Sequence, residues 1–240
     1  MPYRKLPDTD EGRLKALQGA KNKADSLPGG AVRAFSDDTL AHLDAFLPNY
    51  NTQMQERGSA LSVQSQASLD EDNAFDTCAL FISHFIQVFN FGIERGVHPA
   101  SARAFYQLDV NQEDLPRLTQ ESDVTLWGKN LIDGEAARVT AGGTPMQNPN
   151  IAQVTAKYND WIAKSNLQSN KKDSYDKEQE DVAALREECD DLILDIWDEV
   201  EFTFRKDEAP SKRRKCREYG VVYVSRPGEE PEEGVLPPVT

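Results

Sequence analysis

Cysteine is scarce, and the three present are not paired by spacing. Cys78, Cys189 and Cys216 stand far apart, without the Cys-x-x-Cys spacing of a zinc or redox site or the density of a secreted disulfide scaffold. Two thiols are expected in the core and the third as an ordinary thiol. Long apolar runs are missing as well. The first residues are basic and polar, where a secretory signal needs roughly 7–15 apolar residues. The most apolar stretch, 79–93, is interrupted by Ser83, His84, Gln87 and Asn90 and is shorter than the ~20 residues that span a bilayer. The expected setting is therefore cytoplasmic, with no membrane partner. Positive charge is short too: 27 Lys and Arg face 41 Asp and Glu, a net charge of −14. That balance argues against a nucleic-acid binder, whose affinity comes from neutralising phosphates, and against an anionic membrane surface.

The signatures of familiar chemistry are absent. There is no Gly-x-Ser-x-Gly elbow, and neither Gly29-Gly30 nor Gly142-Gly143 is followed by the Lys-Ser or Lys-Thr of a phosphate loop. The three histidines, His42, His84 and His98, all lie in the first half, and no Glu-x-x-His occurs, so a carboxylate-bridged dimetal bundle is not indicated. The reading names no catalytic residue, no cofactor and no metal.

What the chain does contain is a repeat. An offset of 111 carries Cys78 onto Cys189, Phe81 onto Leu192, Ile82 onto Ile193 and Phe85 onto Ile196. It continues with Ile86 on Trp197, Phe89 on Val200, Phe91 on Phe202 and Pro99 on Pro210. Upstream, an offset of 108 carries Leu43, Phe46, Tyr50, Asn51 and Met54 onto Ile151, Val154, Tyr158, Asn159 and Ile162. Leu6-Pro7 matches Leu115-Pro116, and the two glycine pairs match each other. Blocks in the same order at a nearly constant offset indicate a tandem duplication. The expected organisation is a first helical repeat over 1–110, a second over 111–225, and an acidic, Pro- and Gly-rich tail over 226–240 that is disordered by composition.

Each copy reads as three helices. The first spans about 9–26 and 119–140, with Leu14, Leu17 and Ala20 on one stripe and a Thr at each start as a plausible cap. The second opens at Ser36-Asp37-Asp38 in one copy, where Pro48 predicts a kink, and covers about 150–170 in the other. The third covers about 70–95 and 174–206. In the first copy this helix is apolar on most sides, as expected of a buried helix. In the second, residues 178–201 hold eleven Asp or Glu against Arg186 alone. The fold class is all-α: two repeats packed as one pseudo-two-fold helical bundle, with a short extended C-terminal arm at 219–224 that needs a partner for its backbone groups.

Four residues are candidates for a polar or ligand-binding junction between the copies. His84 falls opposite Asp195 at the 111 offset, with Gln87 and Asp198 beside them. Asp191, Asp195 and Asp198 follow i, i+4, i+7 spacing and share one side of a helix; they read as a solvated face or as a dock for a basic partner. The segment 205–217 is the reverse, with seven Lys or Arg against Asp207 and Glu208. Within it Lys212, Arg213, Arg214, Lys215 and Arg217 are candidate partner-binding residues. Pairing with the chain's own acidic helix, or with that helix in a second copy, is the favoured use.

The run 1–17, the stretch Ile82-Ser83-His84-Phe85-Ile86-Gln87-Val88 followed by Pro99-Ala100-Ser101, and the ending at 217–224 resemble a functionally uncharacterised bacterial family of helical proteins of this same length. The resemblance spans most of the chain. It implies a bacterial cytoplasmic setting and nothing catalytic. The leading expectation is a non-enzymatic structural or protein-interaction module whose partner is another protein or a second copy. A small-ligand or unfamiliar enzyme site at the repeat junction is second. A nucleic-acid accessory role through 205–217 is third.

Overall fold

The computed structural model describes residues 2–29 and 31–229. The described residues are mostly helical. In chain order they form β1 (Tyr3–Arg4), α1 (Asp10–Asp25), α2 (Asp37–Glu94), a 3-10 helix (Ala100–Tyr106), α3 (Glu121–Thr140), α4 (Ile151–Ala184), α5 (Arg186–Thr203), α6 (Ala209–Arg217) and β2 (Tyr223–Val224). The fold is all-α. Most of the tail expected to be disordered lies outside the described residues.

The helix boundaries follow local chemistry at some ends and depart from it at others. Thr9 caps α1 by accepting the Gly12 amide at 3.1 Å, satisfying an otherwise unpaired donor of the first turn. Ser36 does the same at α2 for the Thr39 amide at 3.2 Å. The cap of α3 is Gln120 rather than Thr119. The second and third helices expected in the first copy are one 58-residue helix, α2. Only Gly58 could interrupt it between Met54 and Asp70, and a lone glycine costs about 1 kcal/mol, too little to end a helix held by packing. Pro48 also sits inside α2 without ending it. In what was expected as the second copy, the break falls at Leu185 instead of near residue 172. There the hydrogen bonding tightens to an i→i−3 bond, from the Leu185 amide to the Val182 carbonyl at 3.2 Å. The expected arm reduces to the two residues of β2. Its partner is β1, antiparallel, with Tyr3 opposite Val224 and Arg4 opposite Tyr223. A two-residue strand is too short to leave a sequence pattern.

The chain divides into two compact units, and neither coincides with 1–110 or 111–225. One holds the described residues up to Ala60 and those from Tyr175 onward; the other is Leu61–Ser174. The boundaries fall inside α2 and inside α4. In the first unit the core gathers Leu17, Leu43, Tyr50, Cys189, Ile196 and Trp197 around α1, the start of α2 and α5. In the second it gathers Cys78, Phe85, Phe89, Tyr106, Leu131 and Trp161 around the end of α2, α3 and the start of α4. Tyr106 meets both Phe85 and Phe89 edge-on, with centroids 5.7 and 4.9 Å away, the arrangement the ring quadrupoles favour. All three cysteines, not two, are buried. Burial pushes the Cys78 thiol up to about 11 and Cys189 up to about 12, which keeps both protonated and poor nucleophiles.

The first unit has one position that only glycine fills. Gly220 has φ +82°, and a Cβ there would lie 2.5 Å from the Ala16 carbonyl oxygen. The turn after α6 therefore lies directly on α1. Gly220→Ala combines a left-handed backbone with a clash against main chain. It is expected to lower stability by roughly 1–3 kcal/mol, read as a reduced midpoint in thermal or urea unfolding.

Candidate functional site

The residues proposed for a junction do not share a unit. His84 and Gln87 lie on α2 in the second unit; His84 is exposed, and Gln87 donates to Ser83 Oγ at 3.0 Å. Asp195 and Asp198 lie on α5 in the first unit, both exposed, and Asp198 takes the Arg4 guanidinium at 2.5 Å. The basic segment becomes α6. Lys212 pairs with Glu201 of α5 at 3.6 Å, and Lys215 pairs with Asp207 at 2.7 Å while sitting over the Phe204 ring. Arg213 is buried and Arg214 exposed. Arg217 lines a groove of about 480 Å³ with Lys5, Lys15 and Val222.

The acidity of α5 is largely engaged within its own unit. Asp190 accepts a two-pronged bond from Arg13, both contacts 2.8 Å. Glu188 lies 3.0 Å from His42. Glu199 accepts the Ser36 amide at 2.5 Å and the Thr39 hydroxyl, fastening the start of α2. Glu201 accepts Tyr223 OH at 2.5 Å, fastening β2. The series that reads as solvated, Asp191, Asp195 and Asp198, is exposed; these ties are made by the acids beside it. Asp191 and Asp195 are the residues of the i, i+4, i+7 series that remain exposed without such a tie among the described contacts.

One of these partners, Arg13, also reaches Asp10, in the first turn of α1 and 7% exposed. Its carboxylate takes Arg186 through Nε at 2.8 Å and Nη2 at 2.9 Å, Arg57 at 2.7 Å and Arg13 at 3.5 Å. The Arg186 hydrogen bonds hold its carboxyl below the usual range; burial opposes this, and Arg57 reinforces it. Tyr50, buried beneath, donates to the Asp10 carbonyl at 3.4 Å.

The second unit buries its own carboxylate. Glu135 is 2% exposed and Arg138 is 3% exposed. Arg138 reaches Glu135 with Nε at 2.8 Å and Nη2 at 3.0 Å, and donates to Tyr106 OH and the Thr144 carbonyl. Tyr106 OH and the Met146 amide donate to the same carboxylate. Burial works against the Glu135 charge, but the bonds from Arg138, Met146 and Tyr106 outweigh it and hold the carboxyl low. Burial, with Glu135 beside it, pushes the Tyr106 phenol far up. A fully bonded pair of this kind orders an interior; every lone pair it offers already has a protein donor. Glu135 also borders an open apolar groove of about 470 Å³ with Ile132, Val139, Met146 and Ile151.

Among the described residues no three His, Cys, Asp or Glu side chains gather as a metal site. What the buried chemistry leaves over is the outer face of α2 in the second unit. Leu80 is 50% exposed, Val88 37% and Phe91 47%, with His84 between them and Asp76 and Arg95 exposed at the two ends. An 18-residue window of α2 has the length and mean hydropathy, 1.2, of a membrane span, with 39% of it buried. No protein-family model, curated protein or solved structure matches the chain. Sequence reasoning missed Asp10, Arg57, Glu135, Tyr106 and Arg138. The one available signal was a pair of arginines, Arg57 and Arg186, at otherwise polar helix positions.

Asp10→Asn removes the charge that three guanidiniums surround. It is expected to cost about 3 kcal/mol at neutral pH, the low end for breaking a buried pair because Arg186 keeps partial contact with water. The Asp10 pKa is lowered in the fold, so its stabilisation is complete above the unfolded value of about 3.9 and is lost as pH falls through the folded value. Urea midpoints taken across the acid range should therefore fall less steeply for Asp10→Asn than for the parent chain.

Proposed function

We propose that the protein is a non-enzymatic interaction module built from a duplicated helical unit, working through exposed helix faces rather than an internal site. The observation that carries this reading is the outer stripe of α2, Leu80, Val88 and Phe91, large apolar side chains held in water on a helix whose opposite stripe is fully buried. Apolar side chains gathered on one exposed helix face support a binding surface there.

The repeat supports the same reading. Cys78 and Cys189, Ile82 and Ile193, Phe85 and Ile196, Ile86 and Trp197, and Phe89 and Val200 are buried in both members of each pair. Most outward positions at the same offset differ in chemistry: Leu80, His84, Gln87 and Val88 stand where Asp191, Asp195, Asp198 and Glu199 stand, while Phe91 and Phe202 are alike and both exposed. The inner stripes serve packing, and the outer stripes carry distinct surfaces. Lys212 and Lys215 of α6 are paired with Glu201 and Asp207, which favours pairing within the chain over a phosphate backbone as the use of that segment.

A photoreactive residue placed at Phe91 in the full chain, in cells that express it natively, tests the reading. A discrete protein adduct is expected from position 91 and none from the exposed Lys172 on α4. Equal labelling at the two positions overturns the assignment of the α2 face as a binding surface.

A further inference from the structure

We infer that the outer face of α2 binds the same face of a second copy of this chain, antiparallel about a two-fold axis passing between Phe85 and Ile86. This rests on the reading of that face as an interaction surface and names its occupant.

The argument is the order of side chains along the stripe. In a two-fold contact each residue meets a partner placed symmetrically about the axis, and the reciprocal contact is made at the other end. Counting outward from the axis pairs His84 with Gln87 of the second copy, Leu80 with Phe91, and Asp76 with Arg95. Polar meets polar at the centre, Val88 meets Ser83 beside it, Leu80 meets Phe91 further out, and acid meets base at both ends. The 19 steps from Asp76 to Arg95 span about 28 Å of helix, so the two ion pairs close opposite ends of one seam. In the parallel arrangement Asp76 would face Asp76 and Arg95 would face Arg95. The antiparallel one also sets the helix dipoles head to tail.

Self-pairing of this kind belongs to α2 and not to α5. At the equivalent positions α5 carries Asp195 and Asp198, which would oppose carboxylate to carboxylate at the centre, and Asp191, which would face Phe202 where Leu80 faces Phe91. A lipid surface fits the α2 face less well than a second copy does. The stripe is crossed by His84 and ends on exposed charges, and a chain of net charge −14 is repelled by anionic headgroups.

The test is the mass of the full chain by light scattering and sedimentation, with circular dichroism to confirm that each variant folds. The parent should run at twice 26.9 kDa, and Phe91→Asp should run as a monomer. Asp76→Arg and Arg95→Asp should each weaken association roughly tenfold, because each turns two symmetric attractions into repulsions. The double variant Asp76→Arg/Arg95→Asp should restore the dimer, a rescue that a general loss of stability does not produce. A parent that stays monomeric at its highest soluble concentration overturns the inference. In that case an adduct at position 91 with a different protein leaves the interaction reading standing, and equal labelling at 91 and 172 removes both. A dimer indifferent to all four variants, or flotation with phosphatidylglycerol vesicles that depends on Phe91, also overturns it.

Discussion

A carboxylate turned inward at the start of a helix constrains the first unit. Asp10 stands in the first turn of α1, where the helix dipole favours a negative charge, yet it is buried. Removing a charge from water costs several kcal/mol unless partners surround it. Arg13 comes from the next turn of α1, Arg57 from α2 and Arg186 from the first residue of α5. One buried anion thus sets the register of three helices at once. The break between α4 and α5 falls immediately before the residue that reaches it.

The same constraint explains the charge pattern. Three arginines around Asp10 are balanced by further acids close by: Arg57 also takes Glu11, and Arg13 takes Asp190. From there α5 extends a row of carboxylates, each matched to a different element: Arg4 of β1, Ser36 and Thr39 at the start of α2, and Tyr223 of β2. Acidity that resembles a solubility device in composition acts as the fastening of the unit. In the second unit Glu135, Arg138 and Tyr106 form a smaller and drier version, closed by the Met146 amide.

Local chemistry made part of this legible beforehand. The start of α1 at Thr9 and the buried stripes of α2 and α5 follow from short-range patterns that a periodicity reads directly. The continuity of α2 through Gly58, the break at Leu185 and the pairing of Tyr3–Arg4 with Tyr223–Val224 do not. Each is decided by groups far apart in the chain, Arg186 with Asp10 or one end of the described chain with the other. Neither partner carries a local mark of the other. For the candidate residues the reason is similar. The 111 offset matches His84 to Asp195, but a match in sequence does not require contact, and each lies on the exposed face of its own helix. The α2 face itself was hidden because its apolar residues read as core; only the burial of Phe85, Ile86 and Phe89 on one side and the exposure of Leu80, Val88 and Phe91 on the other separates the two.

Interior charge that orders the fold, with an outer stripe of α2 proposed for recognition, is a division of labour with a direct physical readout. Amide hydrogen exchange of the full chain, compared between dilute and concentrated solution, reports which backbone becomes covered when copies meet. The account predicts added protection confined to the α2 segment around Leu80 to Arg95, with the amides of α1 and α5 unchanged. Added protection on α5, or none on α2 as concentration rises, would contradict it.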